Sequence, residues 1–123
     1  MQKEITPYAR GKMGEDRAEH YLQDIGLTTV CRRYKAQDGE IDLVMTEGTV
    51  LAMIEVKARS RGTAADAENA VTPRKQKRLC HAALAFLGEH PEYAAFPVRF
   101  DVITLTGEGI RYIRNAFECR EWE

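Results

Sequence analysis

The chain has 123 residues, of which 44% are hydrophobic, 8% aromatic and 30% charged, a composition that excludes disorder along its whole length. Its 18 Lys and Arg against 19 Asp and Glu give a net charge of −1, which excludes binding to polyanions by bulk charge alone. A chain of this size has room for one core, so residues 1–123 are read as a single domain. The longest apolar run, residues 82–87, is far short of the roughly 18 to 20 residues that cross a bilayer. The opening residues lack the apolar stretch of a secretory signal, so the expected setting is cytoplasmic, away from membranes.

Thr6-Pro7 reads as an N-cap followed by a first-turn proline, and Ala18, Tyr21, Leu22 and Ile25 continue a helical stripe up to Gly26. Extended backwards, that stripe passes through Gly14 and Gly11 and brings Glu15 to its edge, leaning toward the core. Residues 27–34, rich in Thr and Val, read as a strand. A turn follows at Ala36-Gln37-Asp38-Gly39, and residues 40–46 form a second, alternating strand. After Glu47-Gly48, residues 50–54 are continuously apolar, as in a strand covered on both faces, and this is the predicted centre of the sheet. Residues 58–70 are small and polar and read as a mobile loop over a substrate entrance. Thr72-Pro73 starts a second helix with its apolar stripe at Leu79, Cys80, Ala83, Phe86 and Leu87. Residues 98–105 and 109–114 complete the sheet as two more strands. The order is α-β-β-β-α-β-β, an α/β fold with helices on both faces of a mixed sheet and a parallel crossover around the second helix.

Cys31, Cys80 and Cys119 lie too far apart for a Cys-x-x-Cys site and are odd in number, so they are expected to be reduced and structural. The charge is unevenly spread. Residues 57–81 carry seven cations against Asp66 and Glu68, a local charge of +5 in a chain whose remainder is −6. The run Arg74, Lys75, Lys77 and Arg78 sits at the start of the second helix, where cations oppose the helix dipole and invite an anion; its plain alternative is a wet first turn. His20, His81 and His90 show no mutual metal spacing and are expected at the surface, and Trp122 is assigned to packing.

The chemistry is concentrated in Gly39-Glu40-Ile41-Asp42-Leu43-Val44 and Ile54-Glu55-Val56-Lys57, where charges stand among apolar strand residues and need a reason. Glu55 and Lys57 share a face of their strand. A hairpin loop at Glu47-Gly48 pairs Asp42 with Met53 and makes Asp42 and Glu55 diagonal neighbours on that face; a three-residue loop would separate them. Two converging carboxylates repel unless one is protonated or a hard cation such as Mg2+ lies between them. With Lys57 beside them, Asp42 and Glu55 have the make-up of a metal-dependent phosphodiesterase, in which a bound cation polarises the ester and activates a water. The alternative is an ion pair on a half-exposed sheet. Glu15 is either a third carboxylate of this site or a capping-box residue. Gln76 lies one turn inside the second helix, where it either meets a phosphate or simply packs.

These residues also carry a family resemblance. Gly14-Glu15 with Ala18 and Tyr21-Leu22, the segments 39–44 and 54–57 with Arg59, Val71 with Lys75-Gln76, Arg99-Phe100-Asp101-Val102 and Asn115-Ala116-Phe117 together resemble the YraN family of small bacterial proteins. That family is similar to the restriction-endonuclease-like and Holliday-junction-resolvase-like nucleases. The resemblance implies an α-β-β-β-α-β core and a Mg2+ (or Mn2+) ion on Asp42, Glu55 and the Val56 carbonyl, with Lys57 assisting. It further implies Glu15 as an added metal ligand and Gln76 near the scissile phosphate; Arg59, Lys75 and Arg78 are expected against nucleic acid for their charge. Arg33 stands where the family often has Asn, and Ile41 where the superfamily has a proline. The implied function is an endonuclease on branched or other non-B DNA, working as a homodimer if it resolves junctions. A nucleic-acid-binding accessory protein without catalysis and a plain interaction domain are the alternatives.

Overall fold

The computed structural model describes residues 7–59, 63–69 and 71–119. The elements in order are α1 (Pro7–Asp24), β1 (Thr28–Ala36), β2 (Gly39–Glu47), β3 (Val50–Ala58), α2 (Ala64–Asn69), α3 (Pro73–Glu89), a 3-10 turn (Pro91–Tyr93), β4 (Val98–Thr106) and β5 (Gly109–Phe117). All five strands form one sheet in the order β1-β2-β3-β4-β5, so β3 is central as expected. The β3–β4 pair is parallel and the other three are antiparallel, which makes the sheet mixed. Among the described residues no helix is long and apolar enough to cross a membrane.

Alternation along the strands divides the core into two layers. Leu51 and Met53 face α3 and pack with Leu79, Cys80, Ala83 and Phe86. Ala52 and Ile54 face α1 and pack with Ala18 and Leu22. Thr72 caps α3 by accepting the Lys75 N–H, with Pro73 at the first position, as the sequence signals. Gly26, at φ 107°, stops α1. Leu27 N–H then returns to the Leu22 carbonyl at 2.9 Å, and both leucines are buried in the same cluster. The proposed Thr6 cap of α1 and Trp122 lie outside the described residues.

Three expectations change. The segment 58–70 is not wholly loop: it contains α2, whose start is held by reciprocal bonds between Thr63 and Asp66. That is a local side-chain capping pattern, and it outweighs the short, small-residue composition. The β2–β3 hairpin turns at Gly48-Thr49 rather than Glu47-Gly48, because Gly48 takes the positive φ (61°) and Glu47 pairs with Val50. The register therefore moves by two, which keeps the side chains of the paired residues from Leu43 to Glu47 and from Val50 to Ile54 on their expected faces. Finally, Cys80 and Cys119 are joined in a disulfide with their Cα atoms 5.9 Å apart, and only Cys31 is free. Spacing along the chain could not show that the end of β5 returns across α3.

Candidate functional site

The site grows from a fault in the sheet. Along β2, Leu43 and Met45 belong to the α1 layer and Val44 to the α3 layer, so strict alternation would send Ile41 to the α1 side. Ile41 instead packs in the α3 layer. The slip falls at Asp42 and, on the neighbouring strand, at Arg33, whose backbone is left-handed (φ 51°). An asparagine takes that conformation more readily than an arginine does. The β2–β3 ladder ends at Leu43 and Ile54, so Asp42 and Glu55 are the next residues beyond the last pair, closer than the diagonal arrangement expected. Asp42 Oδ2 then accepts the Val56 N–H at 2.8 Å, taking the place of the missing ladder carbonyl.

The electrostatics of Asp42 are unfavourable. Burial, and then the charge of Glu55, push its carboxyl from the ordinary 3.8 up to about 8; the Val56 hydrogen bond opposes this, and Glu15 and Glu40 add to it. None of these leading influences is a cation. Glu55 is held by Lys57, Nζ to Oε1 at 3.1 Å, and the Lys57 side chain is itself buried. Lys75, reaching over from α3, has its ammonium pushed below the ordinary lysine range, chiefly by Lys57. Two ammonium groups brought together in this way mark a place where an anion would be welcome.

Glu55 and Lys57 open onto a cleft of 1160 Å³ between the β1–β2 turn and the first half of α3. Its walls carry Lys35, Lys57, Arg74, Lys75, Lys77 and Arg78 against only Asp38, Glu40 and Glu55. The turn sits directly on the helix: a Cβ at Gly39 would lie 2.6 Å from the Arg78 carbonyl oxygen, so only glycine allows this approach. The basic run of α3 is exposed, as the plain reading of a wet first turn has it, and it lines the same cleft as Glu55 and Lys57, a direction that the charge count could not fix.

The other expected residues stand as follows. Glu15 is buried on α1 and bonded to Arg33, Nε to Oε2 at 2.7 Å, with Arg32 at 3.5 Å from the same oxygen. Gln76 donates its amide to the Val71 carbonyl at 3.1 Å and does not line the cleft. Arg59 is exposed beyond the end of β3 and contributes to the positive field on Lys75. His81 lines the cleft, 4.0 Å from Asp38, a placement its isolated position in the sequence did not reveal. Lys35 and Glu40 were also missed. The signal that could have found them is their adjacency to the Ala36-Gln37-Asp38-Gly39 turn, once that turn is placed against α3.

Could these residues hold a cation? Among the described residues no group of three or more His, Cys, Asp and Glu comes together as a metal cluster. What is present is a half-buried carboxylate whose charge is opposed by a second carboxylate. An all-oxygen pair of this kind fits a hard divalent ion that keeps several waters.

Residues 14–105 match the model of a family described as Uncharacterised protein family UPF0102. A UPF0102 protein of Halorhodospira halophila (strain DSM 244 / SL1) is 40% identical over 111 residues, 90% of this chain and 88% of that one. One from Herminiimonas arsenicoxydans is 43% identical over 108 residues, covering 88% and 86% of the two chains. One from Pseudomonas entomophila (strain L48) is 36% identical over 121 residues, covering 94% and 98%. The matched segment contains Glu15, Asp42, Glu55, Lys57 and the basic run of α3.

Proposed function

The chain belongs to the UPF0102 (YraN) family, and from the site it carries we propose that it is a Mg2+-dependent endonuclease of restriction-endonuclease-like architecture that cleaves branched or otherwise non-B DNA. The observation that carries this reading is Asp42: a half-buried carboxylate, without a cation among its leading influences, beside a Glu55 that opens onto a basic cleft. Structural carboxylates in strands are normally given a cationic partner, as a buried charge without one is costly. A carboxyl raised by a neighbouring carboxylate is the arrangement of a site that completes itself with a ligand.

Asp42, Glu55 and the Val56 carbonyl would hold the ion. When bound, it supplies Lewis-acid polarisation of a phosphodiester and a water of lowered pKa. The remaining work falls to the chain. Lys57, which lies 3.1 Å from Glu55, would donate to the attacked phosphate and stabilise the charge that develops there. Lys75 and Arg78 hold neighbouring phosphates along the cleft. The near-neutral total charge limits affinity for long duplex, so recognition rests on a short contact with a distorted strand. Cutting two strands of a junction requires two copies, and a cytoplasmic setting gives access to DNA.

A second reading, nucleic-acid binding without catalysis, is favoured by one observation: Glu55 is already neutralised by Lys57. Titration of Mg2+ or Mn2+ into the wild type and Asp42→Asn, followed by cleavage assays on four-way junction, flap and single-stranded DNA, separates the two. Saturable metal binding and cleavage, both lost in Asp42→Asn, support the nuclease. Salt-dependent DNA binding with no divalent ion bound at millimolar concentration selects the binder.

A further inference from the structure

Glu15 is the one buried carboxylate near Asp42 that already has a tight cationic partner. Gly14 packs its helix directly on the far end of β3, where a Cβ would lie 2.7 Å from that of Ala58, so Glu15 stands on the α1 side of that end, near enough for its charge to act on Asp42. Its Oε2 then accepts from Arg33 Nε at 2.7 Å. Arg32 is a lesser partner, 3.5 Å from the same oxygen and shared with Asp16 at 2.7 Å and Glu19 at 3.3 Å. The Arg33 side chain leaves a left-handed backbone at the sheet fault, opposite Asp42. The same irregularity that turns Asp42 toward β3 therefore directs a guanidinium onto Glu15.

We propose that Arg33 is a positioning residue that competes with a divalent cation for Glu15, and so sets how tightly and with how many carboxylates the site binds its metal. With Arg33 in place the ion has Asp42 and Glu55. With Arg33 removed, Glu15 is free to become a third oxygen ligand, and affinity rises because carboxylate count governs the binding of hard cations. This rests on the metal-site reading above.

The test is a Mn2+ titration by electron paramagnetic resonance without nucleic acid, on wild type, Asp42→Asn, Arg33→Asn, Glu15→Gln and the Arg33→Asn/Glu15→Gln double variant. Asparagine is chosen because it adopts the left-handed backbone; Arg33→Gly serves the same end if the asparagine variant does not fold. Arg33→Asn is expected to tighten Mn2+ about tenfold, within the range of direct side-chain couplings. Glu15→Gln alone should cost less than about twofold, and in the double variant the gain should vanish. A gain that survives in the double variant is mere removal of positive charge and overturns the proposal. So does a Glu15→Gln loss as large as that of Asp42→Asn, which would make Glu15 a ligand already. If no form binds Mn2+, the metal-site reading itself falls and the inference falls with it. That result is distinct from a wild type that binds Mn2+ while Arg33→Asn leaves the affinity unchanged.

Discussion

Two aspartates in this sheet do the same backbone work under opposite electrostatics. Asp101, on β4, accepts the Asn115 N–H at 2.9 Å where the β4–β5 register shifts between Phe100 and Val102. Asp42, on β2, accepts the Val56 N–H at 2.8 Å just past the end of the β2–β3 ladder. Each fault contains a residue with left-handed backbone, Asn115 (φ 54°) and Arg33 (φ 51°). The surroundings then differ. Asp101, only 1% exposed, takes a two-pronged bond from Arg99 and a short hydrogen bond from the Tyr112 hydroxyl. Arg99 continues to Glu47 at 2.9 Å, and Arg114 closes the chain on the same carboxylate. Burial is the largest cause raising the Tyr112 hydroxyl, with its bond to Asp101 next, and hydrogen bonds from Arg114 and Arg99 hold Glu47 down at about 2. Asp42 has Glu55, Glu15 and Glu40 for company and is pushed up. At Asp101 the carboxylate that mends the sheet is neutralised; at Asp42 it is left among like charges, and on that difference the metal-site proposal rests.

Four measurements break or sharpen this contrast. The largest effect is expected in cleavage: Asp42→Asn and Glu55→Gln should each reduce the rate by about a thousandfold or more, as loss of a group that stabilises the transition state does, while DNA binding persists. Asp101→Asn should leave the chemistry of any folded fraction unchanged, and a large direct effect there would erase the distinction between the two aspartates.

Stability should show the reverse. Asp101→Ala leaves Arg99 half-buried without its fork and orphans the Asn115 N–H, and it is expected to cost about 3 kcal/mol by chemical denaturation. Asp42→Asn retains an oxygen acceptor for Val56 and removes a charge that burial opposes. It should stabilise the metal-free protein by on the order of 2 kcal/mol at pH 8.5.

The pH dependence follows from the same two regions. The folded state holds the Asp42 proton up to about 8, whereas the unfolded chain releases it near 3.8, so this group makes stability fall as pH rises between those values. The slope should flatten in Asp42→Asn. Glu47 acts in the other direction: its contribution is complete above 4.5 and is lost as pH falls toward 2. Melting profiles of wild type, Asp42→Asn and Glu47→Gln across pH 2–9 check both signs; an alkaline slope unchanged in Asp42→Asn would show that its burial is without energetic consequence.

The smallest effects belong to the cleft. Lys75→Ala and Arg78→Ala should each weaken binding of a DNA junction several-fold and lower the salt slope by about one, equally across sequences. Loss of binding without a change in slope would place these cations outside the phosphate track.

Much of this was legible along the chain, for reasons that can be named. The helix starts at Thr72-Pro73, the stop at Gly26 and the apolar run of β3 are local signals read within a few residues. The faces of the paired residues from Leu43 to Glu47 and from Val50 to Ile54 survived an incorrect hairpin register because the error was two residues and strand side chains repeat every two, while Asp42 lies at the slip just beyond that ladder. By contrast, α2 depends on a capping exchange between Thr63 and Asp66 that composition obscures. The roles of Arg99, Asp101 and Asn115 were not readable at all, since they meet only when β5 returns beside β4.

The sequence alone therefore determined the mixed α/β order, the two helix stripes, and the residue types of the site: two carboxylates and a lysine among apolar strands, with a basic helix start nearby. Tertiary structure decided the rest. It placed the basic run over Glu55 and Lys57, paired Cys80 with Cys119, slipped the pleat at Asp42 and gave Glu15 to Arg33. The physical reason is range. Capping, periodicity and turn chemistry act over a few residues and are written in the order of the chain. The charge a carboxylate feels depends on which distant groups the sheet brings within a few ångströms of it.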